Sequence, residues 1–185
     1  MTERPAHFTA SDDGFLPMSF AQSHWGDDHL NGPAVVGLAA RALELRYGSA
    51  EFMPARLTVD LFKAARGVPT TVVTHDRPVD VVAGDKNSAF VRAAMVAEST
   101  SLTTNLGSRG IGYINGDLTM GLARLPVDDW LGVQADAHWA ADGVAVGTAT
   151  LFDSLGAFGS GMVTAVANPA AQIDFGSTAF KGMRF

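Results

Sequence analysis

Leu57-Thr58-Val59-Asp60-Leu61-Phe62-Lys63 and Leu118-Thr119-Met120-Gly121-Leu122-Ala123-Arg124 are two versions of one strand. Both begin Leu-Thr-apolar, alternate, and end at a basic residue. A period of two marks a β-strand with one buried face. Each follows a long apolar stretch of helical period, 33–47 before the first and 88–102 before the second. A repeated helix-then-strand unit narrows the fold more than composition does. The repeat is uneven. Three more strand-like stretches follow the second copy, whereas the first leaves room for one before the next helix.

The first helix is apolar almost all round, with Val35, Val36, Leu38, Ala39, Ala40, Leu43 and Leu45. Arg41, Glu44 and Arg46 mark one wet side, which predicts an enclosed helix. Asn31 can cap it, Pro33 suits its first turn, and Gly48 ends it. Asn87 or Ser88 can cap the second, whose packing candidates are Phe90, Val91, Ala94, Met95 and Leu102. Short strands are expected at 7–9, 15–25 and 68–74, with Pro17 holding the second to an edge. From 110 on the pattern is a run of antiparallel strands: 110–125, 130–139, 144–152 and 158–167. Asp142-Gly143 supplies the positive φ of a tight hairpin. These elements predict an α+β protein, with a curved antiparallel sheet wrapped around two central helices in a hotdog-type arrangement. The expected division is an N-terminal partial unit, 1–84, a C-terminal unit, 85–169, and a tail, 170–185.

The 185 residues are 47% apolar and 17% charged, enough for a packed core. There is no cysteine, so disulfides, thiolate ligands and a thiol nucleophile are excluded. Net charge is −6 without a Lys/Arg cluster, which argues against nucleic acid as a partner. The opening stretch is polar and acidic and does not read as a secretory leader. No apolar run is long enough for a bilayer, so no membrane insertion is expected and the cytoplasm is the expected location. No Gly-x-Ser-x-Gly elbow, P-loop or dinucleotide fingerprint is present.

Several short stretches, in order, resemble the double-hotdog acyl-CoA thioesterases, the type II, TesB-like group. His29-Leu30-Asn31-Gly32-Pro33-Ala34-Val35-Val36-Gly37 is similar to that group's Gly-Gly-Gln-Val-Val-Gly helix start. Ile114-Asn115-Gly116-Asp117-Leu118-Thr119, running on to Arg124-Leu125-Pro126-Val127-Asp128-Asp129-Trp130, resembles the strand and His-Arg-Pro…Glu-Trp corner of its second hotdog. Trp139-Ala140-Ala141-Asp142-Gly143 and Leu151-Phe152-Asp153-Ser154-Leu155-Gly156 match the hairpins after it. The resemblance covers 15–75 and 85–168. A full member carries two complete hotdogs. Here the first unit lacks later strands and the second its opening strand, so the chain resembles a condensed double hotdog.

The resemblance implies a catalytic Asp, a Thr or Ser, and a Gln. By position these fall on Glu98, on Asn115, and near Val163 or Thr164. A carboxylate persists, an amide replaces the hydroxyl, and the Gln is absent. Glu98 lies among apolar helix neighbours, where desolvation suits a general base. It can equally be a solvated glutamate. Asn115 can orient a water, or Asn115-Gly116 can simply form a bulge. His29, Asn31 and Gly32 precede the first helix, whose N-terminus can face an oxyanion, or serve as an ordinary cap. Lys63 and Arg124, which end the repeated strands, are candidates for the phosphates of CoA, or solvated strand ends. No metal site and no cofactor are expected.

The implied reaction is hydrolysis of a fatty acyl-CoA to a fatty acid and CoA, with acyl-CoA as substrate and a homodimer completing the sheet edge. The alternative is a non-catalytic acyl- or acyl-CoA-binding, or structural, hotdog protein.

Overall fold

The computed structural model describes residues 4–11, 14–24, 26, 28–61 and 79–175. The strands are β1 (Ala6–Ser11), β2 (Gly14–Pro17), β3 (Arg56–Asp60), β4 (Asp80–Val82), β5 (Leu106–Gly107), β6 (Gly110–Ile111), β7 (Tyr113–Asn115), β8 (Asp117–Leu122), β9 (Gly132–Ala141), β10 (Val144–Asp153), β11 (Gly156–Ala167) and β12 (Ile173–Asp174). The helices are α1 (Gly32–Tyr47), α2 (Ala89–Glu98) and α3 (Thr100–Asn105), with a 3-10 turn at Ser19–Ala21.

The main sheet is antiparallel, in the order β3-β8-β11-β10-β9, with β7 also on β11. The two look-alike strands of the sequence, β3 and β8, are neighbours in it, pairing Leu57 with Met120 and Val59 with Leu118. Alternation puts Leu118, Met120, Leu151, Phe158 and Val163 on one face, all fully buried. Phe90, Val91, Ala94 and Ala97 of α2 complete the same core. Sequestering each large side chain is worth about 1.5–3 kcal/mol, and this is what seats the helix on the sheet. The fold is the expected α+β hotdog type.

Glycines let the helices approach closely. A methyl group at Gly161 would overlap the Thr100 side chain, and one at Gly147 that of Thr104. Thr100 and Thr104 stand one turn apart, so one face of α3 rests on two bare backbone positions of β10 and β11.

Four details differ from the sequence reading. The helix expected over 88–102 breaks at Ser99. Thr103 Oγ1 and Thr104 Oγ1 donate to the Ser99 and Thr100 carbonyls, and Asn105 Nδ2 to that of Ser101. A hydroxyl-rich stretch competes in this way with the helix ladder. The strand expected over 110–125 divides into β6, β7 and β8, with breaks at Gly112 and Gly116. The segment 15–25 holds only β2 before the 3-10 turn. Finally, α1 is enclosed only over its first half, where Ala34, Val36 and Ala40 are fully buried, while Leu45 is 70% exposed. It packs chiefly on α2, with Ser88 Oγ donating to Glu44 Oε2.

A second sheet, β2-β1-β4, contains a parallel pair, Ala6 beside Asp80 and Phe8 beside Val82. Parallel neighbours need a crossover, and α1 lies in the connection. The stretch expected as a tail begins with β12 on β6, where Ile173 is buried. The strand expected at 68–74 lies outside the described residues. Among those residues no helix is long and apolar enough to cross a membrane.

Candidate active site

Asn31 fixes the start of α1. Its Oδ1 accepts the Ala34 N–H at 2.8 Å, and its Nδ2 donates to the carbonyls of Phe20 (2.6 Å) and Gln22 (2.9 Å). Both amide hydrogens are thus spent on local structure. Val35 N–H goes to the Asn31 carbonyl. Pro33 has no N–H. Gly32 is therefore the residue whose amide this helix end leaves over.

Glu98 reaches that point from the last turn of α2. It is buried, at 6% exposure, and a methyl group on Gly32 would overlap its carboxyl group. Asn115, at the end of β7, donates from Nδ2 to Glu98 Oε1 at 3.3 Å. Three sequence-predicted residues, Gly32, Glu98 and Asn115, therefore meet although 83 positions separate the first from the last. Burial pushes the Glu98 carboxyl up to about 8, and the Asn115 hydrogen bond opposes the rise. The positive end of α1 works in the same direction as Asn115. Desolvation prevails because one amide donor replaces a full hydration shell.

The other candidates stand elsewhere. The His29 ring packs over Gly26, with a buried Nδ1 that has no partner among the described residues. Arg124 is held by the buried Asp153 through Nη1–Oδ2 and Nη2–Oδ1, both 2.7 Å, and donates to the Gly156 carbonyl. Asp153 also accepts the N–H groups of Val127 and Leu155, and its carboxyl lies well below the usual range because Arg124 bonds to it. This clamp builds the sheet corner and takes up the guanidinium that had been a candidate for CoA. Lys63 lies outside the described residues. Val163 is buried on the helix-facing side of β11, whereas Thr164 bonds to Asp117. Of the two positions near which the resemblance implies Gln, the helix-facing one thus carries an apolar side chain and the other a threonine.

The sequence reading passed over Asp117. Its signal was a short acidic side chain directly after Asn115-Gly116, inside a strand pattern that glycine interrupts.

A hotdog sheet carrying a central helix, with a buried carboxylate against the start of a second helix, defines the class as a hotdog-fold protein with a built polar site. Residues 40–162 match the acyl-CoA thioesterase C-terminal domain family, more than half of the chain, and the protein belongs to that family. The matched span contains Glu98 and Asn115, while Gly32 lies before it. No curated protein and no solved structure matches significantly.

Proposed function

We propose that the protein hydrolyses a fatty acyl-CoA thioester, with Glu98 as general base. The observation that carries this reading is the buried Glu98 carboxyl group held between the Gly32 end of α1 and the Asn115 amide. Ionised Glu98 takes a proton from a water, and the resulting hydroxide adds to the thioester carbonyl. Negative charge develops on the carbonyl oxygen, and the Gly32 amide and the α1 N-terminus stabilise it. The C–S bond then breaks. The CoA thiolate takes the proton back from Glu98, and the fatty acid is released. Asn115 steadies the carboxylate rather than the water. Arg124 has no part in binding CoA in this reading. The reading also includes a homodimer formed through β9, the end strand of the main sheet among the described residues, and a cytoplasmic location.

One observation favours a second reading, of an acyl-CoA-binding protein without turnover. The resemblance implies the catalytic Gln near Val163 or Thr164, and the helix-facing one of the two, Val163, is a buried apolar residue. A panel of acyl-CoAs separates the two, with thiol release measured for wild type and Glu98→Gln. The expected result is release by the wild type and a loss of about 10²–10⁴-fold in the variant. Inactivity of both proteins with retained acyl-CoA binding would establish the second reading.

A further inference from the structure

The strand carrying Asn115 changes face just after it. In β8, Leu118 and Met120 are fully buried against the helices, whereas Asp117, Thr119 and Gly121 are only half-buried. Strict alternation back from Thr119 and Asp117 would put Asn115 on the outer face as well. Yet Asn115 pairs with Ala165, a buried helix-facing residue, and touches Glu98 on α2. The register explains the switch. Asn115 lies opposite Ala165 and Thr119 opposite Met162, so Gly116, Asp117 and Leu118 stand against only Val163 and Thr164. One extra residue is a β-bulge, and a bulge re-aims the side chain before it.

Asp117 closes the gap. The Thr164 N–H, which a regular ladder would give to a backbone carbonyl, goes instead to Asp117 Oδ1 at 2.7 Å. The Thr164 hydroxyl donates to Asp117 Oδ2. Gly116 N–H returns to the Thr164 carbonyl at 2.8 Å, and Leu61 N–H ties the Gly116 carbonyl to β3 at 2.6 Å. The register also places Asp60, a second carboxylate, opposite Asp117. Like charges in that position repel, so Asp117 is not held there by its neighbour on β3.

We propose that Asp117 is a positioning residue, whose carboxylate, by holding Thr164, maintains the bulge that turns Asn115 from the outer face of the sheet to Glu98. Its bearing on turnover rests on the hydrolase reading above; its bearing on Glu98 does not. Without the clamp the strand gains by slipping one residue into regular pairing, which carries Asn115 away from the carboxylate.

The test compares Asp117→Ala with Asp117→Asn, which keeps an acceptor for the Thr164 N–H. The Glu98 titration is read without substrate, by carboxyl NMR, and kcat is read on saturating acyl-CoA. Asp117→Ala is expected to move the Glu98 midpoint upward, since the Asn115 bond that lowers it is lost, and to cut kcat by about 10-fold or more. Asn115→Ala should add nothing in that background, and Asp117→Asn should restore the wild-type midpoint. An unchanged midpoint in Asp117→Ala overturns the proposal. So does a downward move in both variants, which would mean that Asp117 acts through its charge. If Asp117→Ala does not fold, Asp117→Leu decides, a side chain of similar shape with no acceptor for the Thr164 N–H or hydroxyl: an upward midpoint supports the clamp, and no change overturns it. Failure of the wild type to hydrolyse any acyl-CoA would remove the hydrolase reading and leave the titration test intact.

Discussion

Glu98 is a residue whose two protonation states ask different things of the fold. Its carboxyl is held at about 8 in the folded chain and near 4.5 when unfolded. The folded state therefore keeps a proton that the unfolded state releases between those values. The stabilisation is fully present below pH 4.5 and is lost as pH rises through 8, to a limit of about 5 kcal/mol. Glu98→Gln mimics the protonated form. It should be more stable than wild type at pH 9 and close to it at pH 4.5, as denaturant titrations at the two pH values will show. The ionised form is the base, so kcat/KM for acyl-CoA should rise with pH around a midpoint near 8; a flat profile would remove Glu98 from the chemistry. Gly32→Ala places a methyl group in the Glu98 carboxyl. It should cost about 1–3 kcal/mol in unfolding free energy, because a core this tight cannot absorb the added volume. That Glu98 is polar and helical is legible in the sequence. That it is buried is not, because burial depends on α1 and β7, which arrive from elsewhere in the chain.

At the level of elements, the start of α1 depends on a short chain of hydrogen bonds. His7 Nδ1 and Asn31 Nδ2 both converge on the Phe20 carbonyl, and the Asn31 Oδ1 caps the helix. Asn31→Ala removes the cap and leaves two carbonyls without their amide donor. It should cost about 1–2 kcal/mol in a denaturant melt, at the upper end for a cap, and should reduce kcat by displacing Gly32. Asn31 and Pro33 make this helix start readable from local chemistry alone. The break at Ser99 was less readable, since a hydroxyl run tolerates a helix as well as it interrupts one. The bulge at Gly116–Asp117 was half readable. Asn-Gly in a strand suggests a bulge, but which face it exposes depends on the register with β11. The corner clamp behaves likewise: Arg124 looked like a free strand end until Asp153 closed on it from the next hairpin.

Across the whole molecule, two buried groups set opposite slopes of stability against pH. Burial holds His7 down at about 4 against 6.5 when unfolded. The unfolded chain thus binds the extra proton, and stability from His7 is full above pH 6.5 and lost as pH falls through 4. Between pH 4.5 and 6.5 the His7 gain and the Glu98 loss nearly cancel, and His24, whose pKa partial burial also lowers, adds a gain of the same sign as His7 below 6.5. Above 6.5 Glu98 is the one group among the described residues that acts, and its share of the unfolding free energy should fall by about 1.4 kcal/mol per pH unit, about 2 kcal/mol by pH 8. Denaturant melts across this range should show the shallow region up to pH 6.5 and the decline above it, and Glu98→Gln should abolish the decline; a maximum at pH 8 in the wild type would contradict the Glu98 assignment. Below pH 3.8 the unfolded chain takes up a proton at Asp153 while the Arg124 clamp keeps the folded carboxylate ionised, so stability falls as pH drops toward the depressed folded value. What the sequence determined by itself was everything that local physics encodes: two capped helices, alternating strands, an Asp-Gly hairpin, and the helix-then-strand repeat that implied a hotdog. Those signals are local because caps, periods and turns act over a few residues. Only the tertiary structure decided that half of α1 stays uncovered, that β3 and β8 lie side by side, that Arg124 is spent on Asp153, and that Glu98, Gly32 and Asn115 meet. Each of those depends on register and packing between segments distant in the chain, where one residue of slip reverses which side chains face the core.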